Sequence, residues 1–174
     1  SKPARNITLF DGFEIIYPGN QPPINITGFT TVPAPLPVNA KVAFAAMEGD
    51  AALVGDGLRI RTNKTAPNEV NLRPKDREGA AGIDNFFNST ITDENGINID
   101  RNPASKNLLG FDAGIFELPN NGNTILGNDT TSATLLPSTD GDVYYPFMFA
   151  FNIEVITPQI VMEKRAYDSN NNDI

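Results

Sequence analysis

The nine-residue stretch "FMFAFNIEV", residues 147–155, decides the fold of this chain. Every second side chain is apolar, from Phe147 through Phe149, Phe151 and Ile153 to Val155. The positions between them hold Met148, Ala150, Asn152 and Glu154. Successive side chains of a β-strand point to opposite faces of the sheet. This period of two therefore predicts a long strand with one buried face.

The same alternation recurs in shorter runs, such as "INITGF" (24–29), "VNAKVAFAAM" (38–47) and "LRIRT" (58–62). In the second run, one face holds Ala40, Val42, Phe44 and Ala46. Turn-forming residues separate the runs, including 14 Gly and 14 Pro in 174 residues. Short strands divided by turns predict an all-β fold with few or no helices. We expect an antiparallel β-sandwich of the jelly-roll or immunoglobulin-like Greek-key type, with a closed barrel as the alternative.

Turn signals also suggest the local organisation and the domain boundary. The runs 5–10 and 13–17 flank Asp11 and Gly12, which is typical of a hairpin. The polar stretch 65–84 is predicted to form a long surface loop. Pro158 follows the long strand closely. We therefore expect a β-sandwich domain over residues 1–156, and a linker strand with a disordered tail over residues 157–174.

Composition restricts the chemistry that this chain can perform. It has no Cys, His or Trp, a formal charge of −8 and a pI near 4.4. Thiolate chemistry is excluded, and the most common general base and transition-metal ligand are missing. The negative charge argues against binding to nucleic-acid phosphates. Since no run approaches the roughly 20 apolar residues of a membrane span, direct membrane insertion is not expected.

Acidic turns form the candidate metal site. The stretch 43–60, "AFAAMEGDAALVGDGLRI", contains three acids, and "STDGDVYY" contains two more. Calcium prefers oxygen ligands from flexible loops. The candidate calcium ligands are Glu48, Asp50, Asp56, Asp140 and Asp142. The alternative is that these acids only form turns, because Asp beside Gly commonly reverses a chain.

Two covalent or catalytic hypotheses also arise from the sequence. Glu48 and Asp50 are candidates for the carboxyl pair of a sugar hydrolase, but the chain lacks Trp, the usual sugar platform. Lys41 is a candidate for an intramolecular bond to an Asn side chain, which requires a buried, neutral amine. The alternative is a solvated lysine on the polar face of its strand, and it is the favoured interpretation.

Six motifs, taken together and in this order, resemble a known module. They are "RNITLFDGF", "FAAMEGDAALVGDGL", "NFFNSTI", "LLGFDAGIF", "TSATL" and "GDVYYPFMFAFNIEV". The set is similar to a module of large secreted bacterial surface proteins that precedes β-sandwich repeats of the domain-of-unknown-function-11 kind. The ending "PQIVMEKRAYDSNNNDI" is similar to the opening strand of such a repeat. The resemblance implies a β-sandwich, an extracellular location, and adhesion or surface architecture without an established enzymatic activity.

The expected function is thus a non-enzymatic structural or adhesive module at the cell surface. Its expected partners are surface glycans or other surface proteins, together with adjoining β-sandwich repeats of the same chain. No cofactor other than calcium is expected. The alternative is a calcium-dependent carbohydrate-binding module, for which exposed Tyr144 or Tyr145 would supply a platform. Because adjacent strand residues face opposite ways, at most one of these tyrosines is expected to be exposed.

Overall fold

The computed structural model describes residues 3–75, 81–156, 163–170 and 172. Within them lie ten strands: β1 (Arg5–Asp11), β2 (Ile24–Ile26), β3 (Ala40–Met47), β4 (Asp56–Arg61), β5 (Val70–Asn71), β6 (Ile91–Asp93), β7 (Gly96–Ile97), β8 (Asp112–Glu117), β9 (Ala133–Thr139) and β10 (Tyr145–Glu154). The helical elements are one α-helical turn, α1 (Ala81–Asp84), and one 3-10 turn at Asn121–Asn123. The described part is therefore all-β, as predicted.

The strands form two sheets that pack face to face. The six-stranded sheet has the order β1-β10-β3-β8-β6-β7, and the four-stranded sheet has the order β2-β9-β4-β5. The first strand pairs with the last and the second strand pairs with the one before the last, which is jelly-roll connectivity. The sandwich prediction is confirmed, and the jelly roll is the topology that the chain adopts. Because the strands fall into two separate sheets, the barrel alternative is wrong.

One strand pair departs from the antiparallel prediction. The strand β6 runs parallel to β8, with Ile91 opposite Ala113 and Thr92 opposite Gly114. The hairpin of β6 and β7 thereby extends the sheet beyond β8. The other strand pairs are antiparallel.

The predicted hairpin at Asp11 and Gly12 is wrong. The chain does not reverse there but continues beside β10, because the same partner strand pairs with both halves. Gly12 N donates to Phe147 O over 3.1 Å, and Ile16 N donates to Tyr144 O over 2.9 Å. The register along β10 also shifts between Pro146 and Met148. This irregularity turns Phe147 away from the predicted inward face, where Phe149, Phe151 and Ile153 are buried as expected.

Aromatic rings fill the core between the sheets. The inward face of β3 is buried as predicted, and Phe44 lies at its centre. The Phe44 ring centroid lies 4.8 Å from that of Phe86 and 5.6 Å from that of Phe87. Burying one such ring stabilises a fold by about 1.5–3 kcal/mol, with about 0.5–1.5 kcal/mol more from each well-oriented ring pair. The segment from Asn85 to Phe87 therefore anchors the loop that follows α1.

The stretch 65–84 is not one surface loop. Val70 and Asn71 form β5 beside β4, and Leu72 is fully buried. Residues 76–80 lie outside the described part of the chain. So do residues 157–162 of the expected linker strand, and the boundary near residue 156 stays a prediction. The described residues include no helix that is long and apolar enough to cross a membrane.

Candidate functional site

Three of the five predicted calcium ligands meet at one end of the sandwich. Glu48, Asp50 and Asp142 line a single cleft of about 340 Å³, which we call the acidic cleft. Asp56 is buried in the protein interior, and Asp140 is exposed in the turn after β9. The structure therefore brings three of the five candidate ligands together and separates the other two from them.

Local turn chemistry places each carboxylate of the cleft. Asp50 Oδ1 accepts hydrogen bonds from Ala52 N at 2.8 Å and Leu53 N at 3.2 Å, which closes the turn after β3. In the turn after β9, Thr139 Oγ1 accepts a hydrogen bond from Asp142 N at 2.8 Å. Glu48 adopts a φ of 62°, a left-handed conformation that is uncommon for residues with a side chain. These turns bring two chain segments far apart in sequence to one cleft.

Two further residues hold the floor of the acidic cleft. Asp112 accepts hydrogen bonds from Ser89 N at 2.7 Å and Thr90 N at 3.2 Å. Ser89 Oγ donates to Gly49 O and accepts from Gly110 N over 2.8 Å. Sequence reasoning did not identify Asp112 or Ser89. The available signal was the register of β8, which places Asp112 on the same buried face as Phe116.

Asp142 is a nearly buried carboxylate with one oxygen left without a partner. The residue is 5% exposed, and its Oδ1 accepts a hydrogen bond from Val143 N at 2.7 Å. Its Oδ2 makes no hydrogen bond within the described residues. Burial raises the pKa of Asp142, and the charges of Asp50 and Glu48 add to this. The backbone amides of Val143 and Asp50 act in the opposite direction.

Asp56 is a second buried carboxylate, and it is sealed in the interior. It is 1% exposed, and its Oδ1 accepts hydrogen bonds from Phe86 N and from Phe87 N, the latter at 2.9 Å. Its Oδ2 has no hydrogen-bond partner in the described part of the chain. Burial raises the pKa of Asp56 to about 7 against the two backbone hydrogen bonds, with smaller contributions from Asp142 and Asp112. Asp56 anchors the aromatic segment 85–87 and does not face the acidic cleft.

This burial makes stability depend on pH in a definite direction. The unfolded chain ionises Asp56 near pH 3.8, whereas the folded chain ionises it near pH 7. Between these values the folded state binds more protons, so its stability falls as the pH rises. From pH 5 to pH 8, we expect the wild type to lose roughly 2–3 kcal/mol more of its free energy of unfolding than Asp56→Asn does. Urea denaturation of both proteins at the two pH values measures this difference, and parallel pH profiles would contradict it.

Acidic side chains alone do not form a metal site in the described residues. In the described residues, no group of three or more His, Cys, Asp or Glu side chains is arranged so that it could hold a metal ion. A cation in the acidic cleft would therefore need backbone and water oxygens in addition to carboxylates. Calcium accepts such mixed shells.

Lys41 is paired rather than solvated. Its side chain is 13% exposed, and its Nζ contacts Glu94 Oε1 and lies 3.6 Å from Glu117 Oε1. The favoured interpretation of a solvated lysine is therefore wrong, because the tip of the β6–β7 hairpin covers it. Asn152 lies opposite Lys41 on β10. Lys41 Nζ is held by the carboxylates of Glu94 and Glu117, so it is engaged in ion pairs on its strand face.

The outer face of the six-stranded sheet carries two rows of apolar side chains, and exposed Asp11 lies opposite Met148 at the β1 end of the second row. In one row across four strands, Leu9 lies opposite Ala150, Ala150 opposite Ala43, and Ala43 opposite Ile115. The next row places Met148 opposite Ala45 and Ala45 opposite Ala113. We call this set the apolar sheet face: Leu9, Ala43, Ala45, Ala113, Ile115, Met148 and Ala150.

Exposed aromatic rings border the apolar sheet face. Phe13 is 65% exposed, and its ring stacks on that of Tyr145 with a centroid distance of 5.5 Å. Tyr144 points the other way, is fully buried, and donates its hydroxyl to Ser138 O over 3.1 Å. The expectation that at most one of the two tyrosines is exposed is confirmed. Tyr144 is therefore not a binding platform.

No known protein family, curated protein or solved structure matches the chain. The resemblance to secreted surface modules consequently rests on the sequence motifs. The functional argument rests on the apolar sheet face and the acidic cleft.

Proposed function

We propose that this chain is a non-enzymatic structural or adhesive module of a secreted bacterial cell-surface protein, and that the apolar sheet face is its contact surface. The continuous row from Leu9 to Ile115 carries this proposal. Leu9 is 60% exposed at the edge of the row. The other residues of the face are half-buried, except Ala45, which is buried. A contiguous apolar patch at the surface of a domain often marks an interaction site.

The chemistry of the apolar sheet face favours a protein partner over a glycan. Its central residues are alanines, which give the sheet a flat surface without hydrogen-bonding side chains. Two flat sheets can pack against each other at about 10 Å, so another β-sandwich is the partner that fits this surface. A glycan needs hydrogen-bonding groups beside an aromatic platform, and none of the seven residues of this face provides either.

Polar and charged residues limit the face at one end. Asn152, Lys41 and Glu117 form the row next to Ala150, Ala43 and Ile115. Lys41 is paired with Glu94 and Glu117 at that boundary. A polar rim around an apolar centre is the usual anatomy of a protein interface. The location outside the cell follows from the sequence resemblance and is part of the proposal.

A second candidate is the calcium-dependent carbohydrate-binding module. The observation that favours it is the exposed Phe13 ring stacked on Tyr145. Flat aromatic rings of this kind contribute apolar contact area together with a defined orientation. In this alternative the aromatic pair would contact the sugar, and the apolar sheet face would not determine binding.

Paired lysine substitutions distinguish the two candidates. The double variant Ala43→Lys, Ala150→Lys places two charges on cross-strand neighbours of the apolar sheet face. The matched control, Asn25→Lys with Thr134→Lys, places the same charges on cross-strand neighbours of the other sheet. We expect the first variant to bind surface proteins of the source bacterium at least about tenfold more weakly, and the control to bind as the wild type does.

The measurement is biolayer interferometry against separated protein and polysaccharide fractions of the cell envelope. Thermal melts confirm that both variants are folded. If both double variants bound the protein fraction with equal affinity, the proposed contact surface would be wrong. Binding to polysaccharide that is lost in Phe13→Ala would support the carbohydrate-binding candidate instead.

A further inference from the structure

The acidic cleft concentrates negative charge without a compensating basic side chain. Its three carboxylates come from Glu48, Asp50 and Asp142, and the other residues that line it are uncharged. Like charges at close range raise the free energy of the folded state unless a cation or a proton neutralises them. The cleft volume of about 340 Å³ leaves room for a hydrated ion.

The second and independent observation is the unpartnered oxygen of Asp142. This residue is 5% exposed, yet its Oδ2 makes no hydrogen bond to the described residues. Buried polar atoms in folded proteins are almost always paired, and an unpaired one calls for a specific explanation. Because Asp142 lines the acidic cleft, a cation there would be positioned to supply the missing partner.

The surrounding backbone fixes the two walls of the cleft in place. Asp50 uses only its Oδ1 in the turn bonds to Ala52 and Leu53. Below them, Gly49 N donates to Gly110 O over 3.1 Å, and Ser89 Oγ binds both segments. A cation would therefore meet carboxylates that the fold has already placed, and little ordering is needed on binding.

The ligand chemistry selects a hard divalent cation. The lining groups offer oxygen donors, and hard cations such as calcium prefer oxygen over nitrogen or sulfur. Calcium tolerates irregular shells that combine carboxylates, carbonyls and water, whereas magnesium demands near-ideal octahedral geometry. In the described residues, no three carboxylates form a metal-binding group by themselves, so backbone and water oxygens must complete the shell. The expected affinity is that of weak extracellular calcium sites, about 10⁻⁴–10⁻³ M.

We infer that the acidic cleft is a calcium site in which Asp142 and Asp50 are the carboxylate ligands and backbone and water oxygens complete the shell. Glu48 contributes charge as the third carboxylate that lines the cleft. Calcium would join the turn after β3 to the turn after β9. This inference does not depend on the partner of the apolar sheet face, and it would stand if that surface proved to have another role.

The test uses one ligand variant and one matched control. Asp142→Asn removes the charge of the buried carboxylate, whereas Asp140→Asn removes the same charge from the same turn outside the cleft. We expect about 10 mM calcium chloride to raise the melting temperature of the wild type and of Asp140→Asn by about 5 °C relative to EDTA. Asp142→Asn should show no such rise, and in EDTA it should melt no lower than the wild type.

Isothermal titration with calcium chloride provides a second readout. We expect Asp142→Asn and Asp50→Asn each to raise the dissociation constant for calcium at least about tenfold. The dissociation constant of Asp140→Asn should equal that of the wild type. The inference is overturned if the wild type neither binds calcium nor gains stability. It is also overturned if sodium chloride of matched ionic strength gives the same rise, or if all variants respond equally.

Discussion

Replacing Asn120 by alanine is expected to lower the free energy of unfolding by at least about 4 kcal/mol. The Asn120 side chain is buried between two loops and makes four hydrogen bonds to backbone atoms. Its Nδ2 donates to Val38 O at 2.9 Å and to Leu126 O at 2.8 Å. Its Oδ1 accepts from Ile125 N at 2.9 Å and from Leu126 N at 2.8 Å.

The physical reason for this large effect is the number of backbone groups that would lose their partner. A buried backbone group left without a hydrogen bond costs about 1–3 kcal/mol, and alanine can replace none of the four bonds. Asn120→Asp is an informative second variant, because aspartate keeps the two acceptor bonds and loses the two donor bonds. We expect it to be destabilised as well, since its charge would also be buried.

Urea denaturation measures both changes. The matched control is Asn121→Ala, which alters the same residue type at the neighbouring, exposed position. We expect the control to remain within about 0.5 kcal/mol of the wild type, as is usual for surface substitutions. If Asn120→Ala were no less stable than Asn121→Ala, the loops around residues 38 and 125 would be held by other contacts.

The strand faces could be predicted from the sequence because alternation is a local property. The inward positions of β3 and the central part of β10 follow directly from the period of two. The order of the strands could not be predicted, because it depends on pairs that are distant in the chain, such as β1 with β10. The hairpin error at Gly12 has the same origin, since a turn signal does not reveal which strand lies alongside.

The candidate site was predicted in part for a related reason. Acidic turns are visible in the sequence, and three of the five chosen acids do share one cleft. Ser89, Asp112 and Asn120 were missed, because polar residues in a chain rich in turns look like surface residues. Their importance comes from burial and from hydrogen bonds to distant backbone, such as Asn120 to Val38.

Replacing Gly49 by alanine is expected to destabilise the fold by about 4 kcal/mol or more. Gly49 lies between Glu48 and Asp50, where the chain passes directly over the floor of the acidic cleft. A Cβ atom at this position would overlap Asp112 Oδ2 and would lie 2.5 Å from Phe87 O and 2.9 Å from Phe87 C. Two of these atoms belong to the backbone of a buried segment, so the clash cannot be relieved by a side-chain rotation.

The matched control is Gly141→Ala in the opposite turn of the same cleft. A Cβ atom added at Gly141 meets no atom within 4 Å. We expect this variant to be as stable as the wild type or slightly more stable, because alanine restricts the unfolded chain more than glycine does. Urea denaturation of the two variants compares them directly, and equal stability would show that the segment around Gly49 can move away from Phe87.

The displacement of Asp112 that we expect in Gly49→Ala should also affect calcium binding in the acidic cleft. Moving Asp112 would break the hydrogen bonds that Ser89 N and Thr90 N donate to it. Ser89 would then no longer be held in position to bond Gly49 O and Gly110 N. If Gly49→Ala stays folded, we therefore expect its calcium-dependent rise in melting temperature to disappear, while Gly141→Ala keeps its rise. A calcium response that survives in Gly49→Ala would mean that Asp142 and Asp50 bind the ion without support from the β8 side of the cleft.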